Sequence, residues 1–326
     1  MKRILVTGGA GFIGSNFIRY LLDKHPDYRI VNLDKLTYCG NLENLRDIED
    51  NENYEFVKGD IADSFVVENL AKDCEVIINF AAESHVDRSI KDPSEFIRTN
   101  IFGTYTLLEA ARKFGTRLFL QISTDEVYGS VEEGLSKETD PLEPNSPYSA
   151  SKAGADLLAR SYFVTFGVPV IITRSSNNFG PYQYPEKIIP LFITNLMAGK
   201  KVPLYADGMN IRDWLFVIDN CEAIDVVMHK GKPGEIYNIG AGGGITNIEL
   251  TRMLLSILGK DESFIEYVKD RPGHDKRYAL DVTKIKALGW RPRHKFRKAL
   301  EETVAWYSGN RAWAERLIAC RKEIRY

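Results

Sequence analysis

Short apolar runs rich in Val, Ile and Leu recur along the first half of the chain, at residues 3–7, 29–33, 54–57, 75–79, 118–122 and 169–173. Their length and β-branched content predict strands. Stretches of helical length lie between most of them, among them 100–114 and 149–166. Strand and helix in alternation predict an α/β fold, a Rossmann-type doubly wound parallel sheet covered by helices on both faces. Ligands of such sheets bind beyond the carboxyl ends of the strands. Past residue 177 the rhythm loosens, with prolines at 181, 185, 190 and 203. A helix over 217–228 and a strand over 235–239 are expected to return to the sheet. Residues 244–300 read as a smaller α/β lobe, with a helix at 247–258 and a strand at 264–268. The expected division is a nucleotide-binding part over 1–176, rejoined by about 211–240, and a substrate-binding lobe with terminal helices over 177–326.

Composition removes several alternatives. Hydrophobic residues make up 44% and charged residues 27%, an ordinary globular balance. A net charge of −2 argues against a nucleic-acid partner, which needs a basic face. Cys39, Cys74, Cys221 and Cys320 show no CxxC spacing, so neither a zinc site nor a disulfide frame is expected, and no metal is predicted. No apolar run reaches membrane-spanning length, and strand-like residues begin at Arg3, which leaves no room for a signal peptide. A cytoplasmic protein without membrane contact is expected.

The segment TGGAGFIGSNF follows the first strand and opens a helix, placing Gly8, Gly11 and Gly14 in GxxGxxG spacing. Glycine turns let a backbone approach a pyrophosphate, and the helix N-terminus offers N–H groups and a positive dipole. Three glycines alone also make tight turns with no ligand. Here Asp34 closes the second strand twenty residues past Gly14, where an acid suits the ribose hydroxyls of NAD and repels the extra phosphate of NADP. Asp60, after the third strand, is placed to reach the adenine or to sit as a solvated turn acid.

In PYSASK, Tyr148 and Lys152 are four residues apart, one helical turn. A tyrosine has a pKa of about 10, so a phenolate base at neutrality needs roughly 4 kcal/mol of stabilisation. A fixed lysine ammonium and a nicotinamide cation are the expected sources. With Thr124 as a further hydroxyl, the set is suited to taking a proton from an alcohol while NAD takes a hydride.

TGGAGFIG, STDEVYG, YSASK and the Asp34 spacing together resemble the extended short-chain dehydrogenase/reductase family. AAESHVDRS, NNFGPYQYPEKIIP, IRDWLFVID and DRPGHDKRYALD sharpen that resemblance toward its nucleotide-sugar 4,6-dehydratases, over residues 3 to about 307. The resemblance implies that Phe12, Ile13, Asp34, Lys35, Leu36 and Thr37 line NAD. It implies the same of Asp60, Ile61, Ala81, Ala82, Thr99, Tyr148, Lys152 and Asn178. It assigns Ser84, Thr124, Asn177, Lys187, Ile188 and Pro203 to a nucleotide sugar, dTDP-glucose. Leu204, Tyr205, Arg212, Asn247, Arg271 and His274 complete that set, with Arg212 and Arg271 as clamps on the diphosphate.

Asp125 and Glu126 stand side by side after the fifth strand. Ser123-x-x-Glu126 has the form of a helix capping box, but VYGS follows and offers no helical run to cap. The implied chemistry accounts for the pair better. Oxidation at C4 acidifies the C5 proton, which Glu126 removes as base; the C6 hydroxyl leaves protonated by Asp125 as acid; the hydride then returns to C6. The product is a 4-keto-6-deoxy sugar of the kind that feeds deoxysugar biosynthesis. A UDP-glucose dehydratase, an epimerase or decarboxylase of the same fold, or a non-catalytic NAD sensor are the alternatives. Surplus apolar residues on the helices at 100–114 and 149–166, including Ile101, Tyr105, Leu108, Leu158, Tyr162 and Phe166, point to a homodimer like those of the family.

Overall fold

The computed structural model describes residues 2–270 and 272–323, the side chains of 320–323 excepted. Arg271 and the Cys320 side chain lie outside the described residues. The strands of the first part are β1 (Arg3–Thr7), β2 (Arg29–Asp34), β3 (Tyr54–Lys58), β4 (Val76–Asn79), β5 (Leu118–Thr124) and β6 (Val170–Ser175). Those of the second part are β7 (Asn177–Phe179), β8 (Val202–Tyr205), β9 (Ile211–Phe216), β10 (Ile236–Ile239), β11 (Gly244–Thr246) and β12 (Ile265–Val268).

Seven strands build one sheet in the order β10-β6-β5-β4-β1-β2-β3, parallel at every pairing. This is a Rossmann-type doubly wound sheet. Its alternating side chains feed two cores: Ile4, Val6, Val76 and Ile78 pack into one, Leu5, Val31, Ile77 and Phe119 into the other. Neighbouring residues of a strand point to opposite faces, so burial of both faces explains why the strands read as unbroken apolar runs. The chain winds outward from β1 to β3 and then crosses back to β4. The strand order reverses between β1 and β4, and a crevice opens there above the carboxyl ends.

A smaller lobe has its own core, built on Phe179, Leu204, Trp214, Leu254, Leu300 and Tyr307. In it β9 pairs with β7 and β11, and β8 with β12. The segment that returns to the large sheet is thus the helix Val217–Lys230 and β10, while β9 stays with the lobe.

Two details depart from the sequence pattern. The helix expected from residue 100 begins inside a π-helical segment, Ile97–Gly103, which continues into the α-helix Thr104–Phe114. Of the apolar residues expected on a dimer face, Leu108 and Tyr162 are buried in the core of this chain, whereas Tyr105 and Phe166 are exposed. Phe102, Leu157 and Val164 extend the exposed set. Among the described residues no helix is long and apolar enough to cross a membrane.

Candidate active site

The crevice is a cavity of about 300 Å³ whose floor is the glycine loop. Gly8 has φ +70°, and a side chain there would bring a Cβ within 2.6 Å of the Ala81 nitrogen. At Gly14 a Cβ would lie 2.5 Å from the Gly8 carbonyl oxygen. Only glycine lets β1, the loop after β4 and the helix approach this closely. Gly11 caps the helix Phe12–Lys24 without a side-chain hydrogen bond, so no side chain occupies its first N–H groups. Asp34 is buried at the end of β2; its Oδ2 accepts from Ala10 N at 2.9 Å and its Oδ1 from Leu36 N at 2.8 Å. A carboxylate oxygen has a second lone pair, which leaves capacity for a diol.

Gly8, Gly11, Phe12, Ile13, Gly14, Asp34, Lys35 and Thr37 all line the cavity, as do Asp60, Ile61, Ala81, Ala82, Thr99 and Asn178. Leu36 does not; it turns the chain at φ +57°, held by Asp34. Asp60 is partly exposed and paired with Lys35 at 3.0 Å and Arg98 at 3.1 Å. The π-helical segment brings Thr99 to the wall. Its next residue, Asn100, accepts from Glu83 N at 2.9 Å and donates to Ser151 Oγ at 2.8 Å, tying the loop after β4 to the helix Pro147–Phe166.

At the other end of the cavity β5 runs into a 3₁₀ turn, Asp125–Tyr128. Thr124, not Ser123, caps it, accepting from Glu126 N at 3.3 Å and donating to Asp125 Oδ1 at 3.1 Å. The acid pair therefore does sit in a capped turn, a single short one. Asp125 is 2% exposed and its Oδ2 has no partner among the described residues. Burial, reinforced by Glu126 beside it, pushes the Asp125 carboxyl well above the usual carboxylate range. Glu126 is only half-buried and faces the cavity.

The helix Pro147–Phe166 starts with a capping box between Ser146 and Ser149 and a proline in its first turn. That entry fixes Tyr148 and Lys152 against the end of β5, and both line the cavity. Lys152 Nζ donates to the Ile122 carbonyl at 2.5 Å. Burial lowers Lys152 to about 8, with Asp156 opposing the shift. Burial raises the Tyr148 phenol strongly, and Glu126 and Asp125 push it the same way. Lys152 by itself thus does not bring the phenol toward neutrality. A further positive charge beside Tyr148 would favour its phenolate.

Of the residues expected at a nucleotide sugar, Ser84, Thr124, Asn177 and Lys187 line the cavity; Lys187 Nζ donates to the Ser84 carbonyl at 2.8 Å. Ile188, Pro203, Leu204, Tyr205, Arg212, Asn247 and His274 lie in the smaller lobe, outside the cavity wall. Leu204 is turned into the core of that lobe. Tyr205 meets His274 edge to face at 5.8 Å. Arg212 is buried, donates to the carbonyls of Ile211, Lys276 and Asp275, and stands over the Tyr278 ring. Cys39, Glu83, Tyr184 and Glu186 also line the wall, and sequence reasoning did not single them out. Glu83, Tyr184 and Glu186 lie within quoted motifs, but the contacts that recruit them are long-range: Tyr38 donates to Glu186 at 2.9 Å across 148 residues.

NAD fits these residues. The glycine loop allows backbone approach, Asp34 offers acceptors, and the buried Oδ1 atoms of Asn177 and Asn178 lack donors among the described residues. Buried acceptors without partners are costly unless a ligand satisfies them.

The profile of the family described as GDP-mannose 4,6 dehydratase matches residues 5–303. The low-salt glycan biosynthesis protein Agl12 of Haloferax volcanii is 55% identical over 94% of this chain and 99% of its own length. A dTDP-glucose 4,6-dehydratase of Streptomyces antibioticus is 51% identical over 96% of this chain and 95% of its own. The structure of DesIV, the dTDP-glucose 4,6-dehydratase of Streptomyces venezuelae, solved with NAD bound, has a TM-score of 0.95 and 52% identity, covering 97% of this chain and 99% of that one.

Proposed function

This chain belongs to the GDP-mannose 4,6 dehydratase family, and from that premise we propose that it dehydrates dTDP-glucose to the 4-keto-6-deoxy sugar nucleotide, with NAD as its cofactor. One observation carries this reading furthest: a buried acid whose surroundings favour its proton, Asp125, directly beside a second acid that faces the cavity, Glu126. An epimerase moves hydride and one hydroxyl proton, and has no use for an acid aimed at a leaving hydroxyl.

When bound, NAD would supply the hydride chemistry between C4 and C6 of the sugar, and a positive charge that Tyr148 lacks in the chain alone. Gly8, Gly11, Gly14 and Asp34 would hold its pyrophosphate and ribose. Tyr148 takes the C4 hydroxyl proton, with Lys152 fixing the local charge. The new ketone makes the C5–H acidic, and Glu126 takes that proton. Asp125 gives its proton to the C6 oxygen, which departs as water, and Glu126 returns its proton to C5 as C6 regains the hydride. Adjacent carboxyls suit this division of labour, because the charge on one favours the proton on the other. Lys187, Ser84 and Asn177 would position the sugar, and Tyr205, Arg212, Asn247, Arg271 and His274 the nucleotide beyond it.

The exposed apolar residues Phe102, Tyr105, Leu157, Val164 and Phe166 support a homodimer across the two helices that carry them. The unpaired thiols of Cys39, Cys74 and Cys221 are in keeping with a reducing cytoplasm. The boundary near 176, with return of the chain to the large sheet before 240, is the division this reading uses.

The test is turnover of a panel of dTDP- and UDP-hexoses followed by mass spectrometry. Loss of 18 mass units (one water) from dTDP-glucose, without accumulation of NADH, is expected. An epimer of unchanged mass, or NADH released in step with product, overturns the reading.

A further inference from the structure

Tyr148, Lys152 and Asp156 follow one another at intervals of four along the helix Pro147–Phe166, stacked on one buried face. Asp156 is 1% exposed and no part of the cavity wall. Arg174 of β6, itself 3% exposed, donates through Nε to Asp156 Oδ2 at 2.9 Å. The same guanidinium donates through Nη1 to the Tyr128 hydroxyl at 2.8 Å and lies 4.8 Å from the centre of its ring. Tyr128 in turn donates to Asn238 Oδ1 at 2.8 Å, and it closes the turn that carries Asp125 and Glu126. One sealed chain of contacts thus joins the helix of Tyr148 and Lys152 to the turn of the acid pair.

Stability alone is a weak reason for such a pair, since apolar residues of the same volume often serve as well or better in a core. Its position is the better reason. Lys152 is buried, and an ammonium without a counter-charge in such a place gives up its proton. Other charges around this helix are engaged elsewhere: Glu109 with Arg112 and Tyr162, Arg98 with Asp60, and Arg88 near Glu186. Asp125 and Glu126 act on Tyr148 from the facing turn; Lys152 Nζ donates to the Ile122 carbonyl, and Asp156, one helical turn away on the same buried face, is paired with Arg174 and favours the ammonium through space.

Resting on the proposed chemistry, we infer that Asp156 is a positioning residue: clamped by Arg174, its carboxylate keeps the Lys152 ammonium charged beneath Tyr148, while the same ion pair braces the Asp125–Glu126 turn through Tyr128. Neither residue lines the cavity. The pair sets both proton-transfer stations from behind.

The experiment measures the pH profile of single-turnover NADH formation in the NAD-loaded enzyme, after wild-type dehydration of dTDP-glucose has been recorded. A wild type with no such turnover condemns the proposed function and not this inference. In Asp156→Asn the alkaline limb should move down by about one pH unit or more, the range expected when a carboxylate near an ammonium is removed. Because that variant leaves Arg174 without its counter-charge, Asp156→Asn with Arg174→Gln is measured beside it; with both members of the ion pair neutralised together, it should fold and show the limb displaced in the same direction. Arg174→Lys keeps the Asp156 charge; its alkaline limb should stay in place, and its elimination step should slow as the turn loosens. A merely structural role lowers the rate equally at all pH values. If the alkaline limb stays at its wild-type position in a folded Asp156→Asn or in the double variant, the inference is overturned.

Discussion

Replacing Glu126 by Gln separates the first proton transfer from the second. The substitution preserves size, and Glu126 is half-buried at the cavity wall, so the turn Asp125–Tyr128 and its Thr124 cap should survive. The base for C5 is lost. Removal of a positioned general base typically costs about 10²–10⁴ in rate, or roughly 3–5 kcal/mol of barrier. The structure adds a second effect of opposite sign. Glu126 is among the charges that raise the Tyr148 phenol, so its removal eases ionisation of Tyr148. Hydride transfer from C4 should therefore be as fast as in wild type or faster, while elimination fails. The assay is stopped-flow absorbance of bound NADH in a single turnover with dTDP-glucose, followed by analysis of the sugar. Glu126→Gln should show a rise in NADH that persists, with the 4-keto hexose retained and its C5 hydrogen unexchanged in heavy water. Tyr148→Phe should show no rise. Dehydration by Glu126→Gln within tenfold of the wild-type rate would refute the assignment of the base, and a flat NADH trace would refute the charge argument.

Gly14→Ala would place a Cβ 2.5 Å from the Gly8 oxygen and 2.8 Å from the Gly9 Cα, both backbone atoms. Overpacking of this kind costs about 1–3 kcal/mol, which calorimetry should read as roughly 5- to 150-fold weaker NAD binding. Unchanged affinity would mean that the loop does not hold the cofactor. Where the helix Val217–Lys230 packs against the helix Phe12–Lys24, the hydrogen bond to Asp225 raises His229 to about 9 from its ordinary 6.5. A raised histidine stabilises fully below its unfolded value and loses that contribution as pH climbs through the folded one; melting temperature should decline between pH 7 and pH 10, and less steeply in His229→Gln. The paired Asp225 carboxyl is held low, so its contribution is present above the ordinary carboxylate range and fades in acid. Leu157→Glu with Val164→Glu, both exposed in the single chain, should give a monomer mass by light scattering at micromolar protein. A dimer retained in that variant would move the interface elsewhere.

Local sequence carries whatever depends on period and spacing. Strands β1 to β6 are legible because both faces of the sheet are buried, which writes each strand as a continuous apolar run. The glycine loop and Asp34 are legible because a strand, a tight turn and a helix follow one another within the span of one crossover. Tyr148 and Lys152 are legible because four residues make a helical turn, and the acid pair because adjacent carboxyls in a strand-end turn serve no packing purpose. Other features depend on contacts between distant segments. Whether Asp125 holds a proton is decided by the walls that close over it. That burial and two carboxyls press the Tyr148 phenol upward is likewise invisible along the chain. The division of apolar residues on the two exposed helices, Leu108 and Tyr162 inward but Tyr105 and Phe166 outward, follows from how those helices lie on the sheet. Asn100 and Asp156 carry no motif of their own, Glu186 stands unmarked inside one, and each takes its place from partners 17 to 148 residues away. A sequence specifies its periodic elements locally, whereas desolvation and charge coupling are sums over everything the fold brings near, so only the tertiary structure decides them.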